Sequence, residues 1–210
     1  MYKKHLRKEF LQKRLLLSKK TIEKYSIEIK SKLFKLLNFD KVKTIHIYLP
    51  FETKNEINTF YIINKIIEKY PNISIIIPKM DFKSKIIINY YYQSNLLKKN
   101  KIGILEPRDN LSEHFIFPKD KLIDIFIIPL LISDKKGNRV GYGKGYYDKL
   151  LANYPKSIKI GLSLFEPINQ INDINKYDIK MDYVILPDNF YCYKTNCTNK
   201  IICKKQHNIQ

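Results

Sequence analysis

Between Gly137 and Asp148 the chain reads Gly-Asn-Arg-Val-Gly-Tyr-Gly-Lys-Gly-Tyr-Tyr-Asp, which sets four of its six glycines beside Arg139, Lys144, three tyrosines and a carboxylate. Without Cβ atoms, backbone amides approach a ligand closely. A concavity lined by N–H groups favours an anion, and the two cations strengthen that preference, so the chemistry indicated is phosphate binding. Two familiar glycine fingerprints do not fit. A P-loop ending at Lys144 needs Gly at 138 and Ser or Thr at 145, where Asn138 and Gly145 stand. A dinucleotide fingerprint starting at Gly141 needs a glycine where Tyr146 stands. A plain strand-to-helix turn has no use for Arg, Lys, paired Tyr and Asp packed between its glycines.

The 210 residues suffice for one α/β domain, read here as residues 1–190, followed by a flexible tail over 191–210. No apolar run reaches the roughly 18 residues of a membrane span, and Met1-Tyr2-Lys3-Lys4-His5-Leu6-Arg7 lacks a signal-peptide core, so a cytoplasmic location without membrane partners is expected. Cys192, Cys197 and Cys203 cluster at one end and form no disulfide framework, which suits reduced thiols. With His207 they are spaced too widely for a zinc knuckle. The net charge of +19 suggests RNA as an alternative partner. Lysines spread over nearly every segment point instead to compositional drift, so no nucleic-acid role is expected, and an acidic small ligand suits the charge equally well.

Alternating elements must carry the glycine loop. Leu6, Phe10 and Leu11 mark an amphipathic helix over residues 2–17, and a second runs from Thr21 to about Asn38. Strands are predicted at Thr44–Leu49, Ile73–Ile77, Lys85–Tyr92 (near an edge), Leu122–Leu131 (central), Ile158–Leu164 and Tyr183–Leu186. Helices are predicted at Ile57–Tyr70 and Tyr146–Asn153. This order implies a three-layer α/β/α sandwich with a mostly parallel central sheet, its ligand at the carboxyl ends of the strands where the loop emerges.

The loop, following Ile128-Pro129, resembles the G-x-R-[LV]-G-x-G-x-G-Y-Y-D element of the 5-formyltetrahydrofolate cyclo-ligase (5,10-methenyltetrahydrofolate synthetase) family. Lys3-Lys4-His5-Leu6-Arg7, Tyr48-Leu49-Pro50 with Glu56-Ile57-Asn58-Thr59, Ile77-Pro78-Lys79, Gly103 to Pro107, and Met181-Asp182-Tyr183-Val184 extend the likeness in order. Leu130, Ser133, Lys79 and Leu186 depart from the family pattern, but none lies in the loop.

The resemblance implies an enzyme and a monomer that closes 5-formyltetrahydrofolate to 5,10-methenyltetrahydrofolate, with ATP cleaved to ADP and phosphate through a phosphorylated formyl group. It implies ATP contacts from Lys3, Lys4, His5, Leu6 and Arg7 and from Arg139, Val140, Gly141, Tyr142, Gly143, Lys144, Gly145, Tyr146 and Tyr147. Lys144 and Arg139 take the catalytic roles. Folate contacts fall to Leu49, Glu56, Tyr142, Gly143, Lys144, Gly145 and Tyr146, and Mg2+ to Asp148 and Asp182. Read from the residues alone, Asp148 could equally favour a helix start, Asp182 a strand turn and Glu56 a helix start. A further phosphotransferase on the same scaffold is a weaker alternative.

Overall fold

The structure is a computed structural model and describes residues 1–194. Its helices are α1 (Lys3–Leu15), α2 (Lys19–Leu36), α3 (Phe60–Lys69) and α4 (Tyr146–Ala152). Its strands are β1 (Thr44–Ile47), β2 (Ser74–Asp81), β3 (Ile86–Tyr91), β4 (Leu97–Lys99), β5 (Leu105–Pro107), β6 (Ile125–Pro129), β7 (Ile132–Ser133), β8 (Arg139–Val140), β9 (Ile158–Leu162), β10 (Tyr183–Ile185) and β11 (Phe190–Cys192).

Local sequence accounts for the helix boundaries. Ser18 starts α2 by accepting the Thr21 N–H at 3.1 Å, a side-chain cap for an otherwise orphaned donor. Ile22, Ser26, Ile29, Leu33 and Leu36 then recur every three or four residues as the buried stripe of that helix. In α3 the same spacing buries Ile62, Ile63 and Ile66.

Seven strands form one sheet in the order β11-β10-β9-β6-β1-β2-β3. The four inner pairings, from β10 through β9, β6 and β1 to β2, are parallel, and β3 and β11 close the edges antiparallel. Alternate residues of the apolar strands feed two cores. Ile45, Ile47, Ile125, Ile127, Ile158 and Ile160 face α2 and α3, whereas Ile76, Phe126, Ile128 and Val184 face Leu150 and Leu151 of α4. The result is the α/β/α sandwich expected, with β6 central and β3 at an edge.

The chain proceeds from β1 toward β2 and β3 on one side and from β6 toward β9 and β10 on the other, so the strand order reverses between β1 and β6. A crevice forms beyond the carboxyl ends of strands at such a reversal. Over it lies α1, whose Leu6 and Phe10 pack with Leu131, Ile132, Val140 and Ile171 in a third apolar cluster.

Three features were not foreseen: the β4–β5 hairpin, the β7–β8 hairpin and β11. β11 carries the sheet to Cys192, past the boundary placed at residue 190. Cys192 is disulfide-bonded, which corrects the expectation of a reduced thiol there. Cys197, Cys203, His207 and the rest of the expected tail lie outside the described residues. Among the described residues no helix is long and apolar enough to cross a membrane.

Candidate functional site

The glycine loop is anchored by a buried carboxylate. Asp134, between β7 and β8, has no exposed surface and accepts from the backbone N–H groups of Lys136 (2.9 Å), Asn138 (3.0 Å) and Ile171 (3.1 Å), and from Asn138 Nδ2 at 2.8 Å. Hydrogen bonds to an ionised acceptor are the stronger kind. They fix the turn that delivers Arg139 and Val140 as β8, after which the loop runs along the mouth of the crevice to α4.

Helix α1 clamps the loop from above. Arg7 Nε donates to the Gly141 carbonyl at 3.0 Å, and its guanidinium lies where a side chain at residue 143 would begin. Gly143 has φ +91°, and an added Cβ would fall 2.8 Å from Arg7 Cζ, so both conformation and close approach require glycine there. The start of α1 is itself held down, Asp173 accepting from the Lys3 N–H at 2.7 Å and Asp178 pairing with Lys3 Nζ. Protein carboxylates therefore already meet the positive end of this helix.

Beneath the loop opens a cleft of about 600 Å³, a volume suited to a small-molecule ligand. Lys3, Arg7, Arg139, Gly141, Tyr142, Gly143, Lys144, Gly145, Tyr146, Tyr147 and Asp148 line it together with Leu49 and Glu56. Lys144 is exposed, its ammonium 5.3 Å from the centre of the Phe82 ring across the opening. Pro78 and Met80 of β2 and Asn100, Ile104 and Glu106 of the β4–β5 hairpin complete the lining. Lys79 holds that hairpin's exit strand by donating to the carbonyls of Pro107 (2.8 Å) and Arg108 (2.9 Å) and to Asp109 at 2.8 Å. Its ammonium is thus committed to the protein.

Five assigned residues fall elsewhere. Leu6 and Val140 are core residues with at most 1 % exposure, and the exposed Lys4 and His5 lie outside the cleft lining. Asp182 stands at the amino-terminal end of β10, where it accepts from the Lys159 N–H at 2.7 Å and pairs with Lys194 at 3.3 Å. It does not line the cleft, so it does not join Asp148. A residue that immediately precedes a parallel strand lies at the sheet end opposite the crevice, which is the physical reason for the correction.

Arg139 also behaves differently from a free phosphate ligand. Its guanidinium donates to the Ile179 carbonyl and, at 2.8 Å, to Asp148 Oδ1. Burial lowers the Arg139 pKa, and the facing Asp148 opposes that shift. Asp148 Oδ1 takes a second bond from the Ile179 N–H at 3.0 Å, while Oδ2 has no donor among the described residues.

A residue not singled out in the sequence, Arg14, lies behind the Glu56 wall of the cleft without lining it. It is 3 % exposed and sits 4.0 Å from Glu56, and it donates to the Tyr142 hydroxyl, which in turn donates to Glu56 Oε1 at 2.7 Å. Glu56 Oε2 accepts the Phe51 N–H at 2.9 Å. Burial raises the Glu56 pKa, opposed by Arg14 and by the Tyr142 and Phe51 hydrogen bonds. Burial and the Glu56 charge together push the Tyr142 phenol up. The signal for Arg14 was its spacing: Leu6, Phe10 and Arg14 follow at four-residue intervals, so a cation occupies the apolar stripe and needs a buried partner.

Comparison with known proteins sets this geometry in context. The family model described as 5-formyltetrahydrofolate cyclo-ligase matches residues 1–187. The 5-formyltetrahydrofolate cyclo-ligase of Mycoplasma pneumoniae is 32 % identical over 197 residues, spanning 88 % of this chain and 98 % of that one. The Haemophilus influenzae protein of the same name is 30 % identical over 139 residues, spanning 66 % of this chain and 72 % of that one. A solved structure of Aquifex aeolicus 5,10-methenyltetrahydrofolate synthetase superposes with a TM-score of 0.74 at 26 % identity, covering 100 % of both chains.

Proposed function

Because the chain belongs to the 5-formyltetrahydrofolate cyclo-ligase family, we propose that it closes 5-formyltetrahydrofolate to 5,10-methenyltetrahydrofolate, driven by cleavage of ATP to ADP and phosphate. The observation that carries this reading is a cleft of about 600 Å³ that the glycine loop lines together with Leu49 and Glu56. Two ligands meet in such a space: a polyphosphate along the loop and a pterin against the acid.

In the proposed reaction the formyl oxygen attacks the γ-phosphate and ADP departs. N10 then adds to the activated carbon, and loss of phosphate and a proton completes the ring. Phosphoryl transfer of this kind depends mainly on positioning and charge neutralisation. Lys144, exposed at the mouth of the cleft, supplies a mobile charge to the transferring phosphate, and Arg7 extends the positive rim toward the rest of the triphosphate, whereas the Lys3 charge is already paired with Asp178. The loop amides orient the same oxygens. Arg139 acts at one remove by holding Asp148 Oδ1, which turns Oδ2 toward ligand.

Asp148 fits magnesium, since a hard carboxylate oxygen without a protein donor is the kind of ligand that ion takes alongside phosphates and water. Bound there, magnesium would neutralise charge on the phosphates. Glu56 accepts from the pterin's adjacent amino and ring N–H donors, each of its oxygens retaining a lone pair, and Tyr142 and Tyr146 flank the folate. Purified protein mixed with 5-formyltetrahydrofolate, ATP and magnesium is expected to generate the near-ultraviolet absorbance of the methenyl product together with ADP. ADP release no greater than in the folate-free control would reject the function.

A further inference from the structure

We propose that Arg14 is a positioning residue that keeps Glu56 ionised and aimed into the cleft, and so sets the affinity for the folate's donor edge. The proposal rests on the folate reading above. It is carried by the chain of contacts from Arg14 through the Tyr142 hydroxyl to Glu56, with Arg14 and Glu56 side chains only 4 % and 5 % exposed.

A buried ion pair adds little to stability compared with apolar residues of the same size, whereas an acid left buried without its cation takes up a proton. Arg14 occupies the position on α1 where Leu6 and Phe10 predict another apolar side chain, so the charge needs a reason other than packing. The difference matters to a ligand. An ionised carboxylate accepts from two neighbouring N–H donors, while the protonated acid turns one oxygen into a competing donor. Among the described residues, the polar groups facing Glu56 other than Arg14 are uncharged at neutral pH: Tyr142 from the loop, the Phe51 N–H from its own segment, Tyr48 after β1, and Tyr147 from α4. Beneath the pair is a cavity of about 10 Å³, walled by Arg14, Tyr48 and Glu56 and large enough for about one water.

The test is steady-state ADP release from the whole protein between pH 6 and 8. For Arg14→Met the folate KM is expected to rise and to fall again with pH, by up to about tenfold per unit, the slope of one proton. The ATP KM and the saturated turnover should move far less, and the wild-type folate KM should stay flat. Arg14→Lys, which preserves the charge, should restore the flat profile. A folded Arg14→Met with a pH-independent folate KM near wild type, or a loss lying wholly in turnover at every pH, overturns the proposal. Infrared difference spectra against Glu56→Gln, taken with Arg14 present and with Arg14→Met, read the acid without folate. A carboxylate ionised at pH 7 with Arg14 and protonated without it supports the proposal, and one protonated in wild type or ionised in both refutes it. Absence of folate-dependent turnover in wild type counts instead against the function, leaving the infrared result to judge Arg14.

Discussion

Alanine at Gly141 separates what the loop needs in order to fold from what it needs in order to bind. A Cβ built on Gly141 meets no atom within 4 Å, and its backbone lies outside the positive-φ region. The fold therefore tolerates it, with a change in stability within about 0.5 kcal/mol and a gain of up to about 1 kcal/mol available from the restricted unfolded chain. Only the cleft lies in front of it. If a phosphate approaches the backbone here, the new methyl forces it away and costs about one hydrogen bond to a charged group, roughly 1.5–3 kcal/mol, which is about 10- to 100-fold in ATP affinity. Gly143 is the contrasting case. Alanine there adopts φ +91° and pushes the flexible Arg7 guanidinium off Gly141, so it loses about 1–3 kcal/mol of stability through strain alone. At about 2–4 °C per kcal/mol, that lowers Tm by roughly 2–12 °C. Thermal melts paired with the ATP KM distinguish the two variants. Wild-type ATP binding by a stable Gly141→Ala protein would refute the claim that the loop backbone cradles phosphate.

Four further outcomes are expected. Lys144→Ala, at an exposed position, should keep its Tm within a degree or two while turnover falls about 100-fold. Asp148→Asn should keep Arg139 hydrogen-bonded but raise the magnesium needed for half-maximal rate, and unaltered kinetics in both would remove the assigned roles. Asp182→Ala should lose the Lys159 N–H bond and about 1–3 kcal/mol in a denaturant titration without changing the magnesium requirement; a shifted requirement would return Asp182 to the metal site. His46, fully buried on β1, has its pKa lowered to about 3, first of all by burial. The unfolded chain, with an ordinary value near 6.5, binds the proton more readily. Stability from this group is thus complete above about pH 6.5 and declines as pH falls toward 3, by about 3 kcal/mol at pH 4.5. His46→Leu should lose less stability than wild type between pH 7 and pH 4.5, and equal losses would contradict that account.

The elements legible in the sequence were those whose pattern and burial agree. Ile125 to Ile128 read as a central strand because every residue of that run is apolar, and both faces of β6 are in fact covered. The loop read as a ligand site because its glycines had no other use. The β4–β5 hairpin was illegible for the opposite reason. Leu97-Lys98-Lys99 and Leu105-Glu106-Pro107 are too short and too polar to show a period, and they are ordered by Lys79 reaching from another strand. Asp182 illustrates a different limit, since a motif marks a residue without saying toward which end of the sheet it faces. Pairing of Tyr183 with Ile160 sets Asp182 beside Lys159, at the end opposite the crevice.

Charge is where sequence and structure diverge most usefully. The net charge of +19 made cations look interchangeable, yet the fold sorts them by what they face. Lys79 binds carbonyls, Arg139 binds Asp148, Arg14 binds the Glu56 network, and Lys144 reaches across the open cleft to a ring. Of these four, only Lys144 combines an exposed ammonium with a place on the cleft wall. The committed cations shape the walls and hold two acids in place, while the uncommitted one is free to follow a charge that moves during the reaction. That division explains why mutations at Arg139 and Arg14 should act through Asp148 and Glu56, with changes in metal and folate dependence respectively, whereas loss of Lys144 should fall on turnover itself.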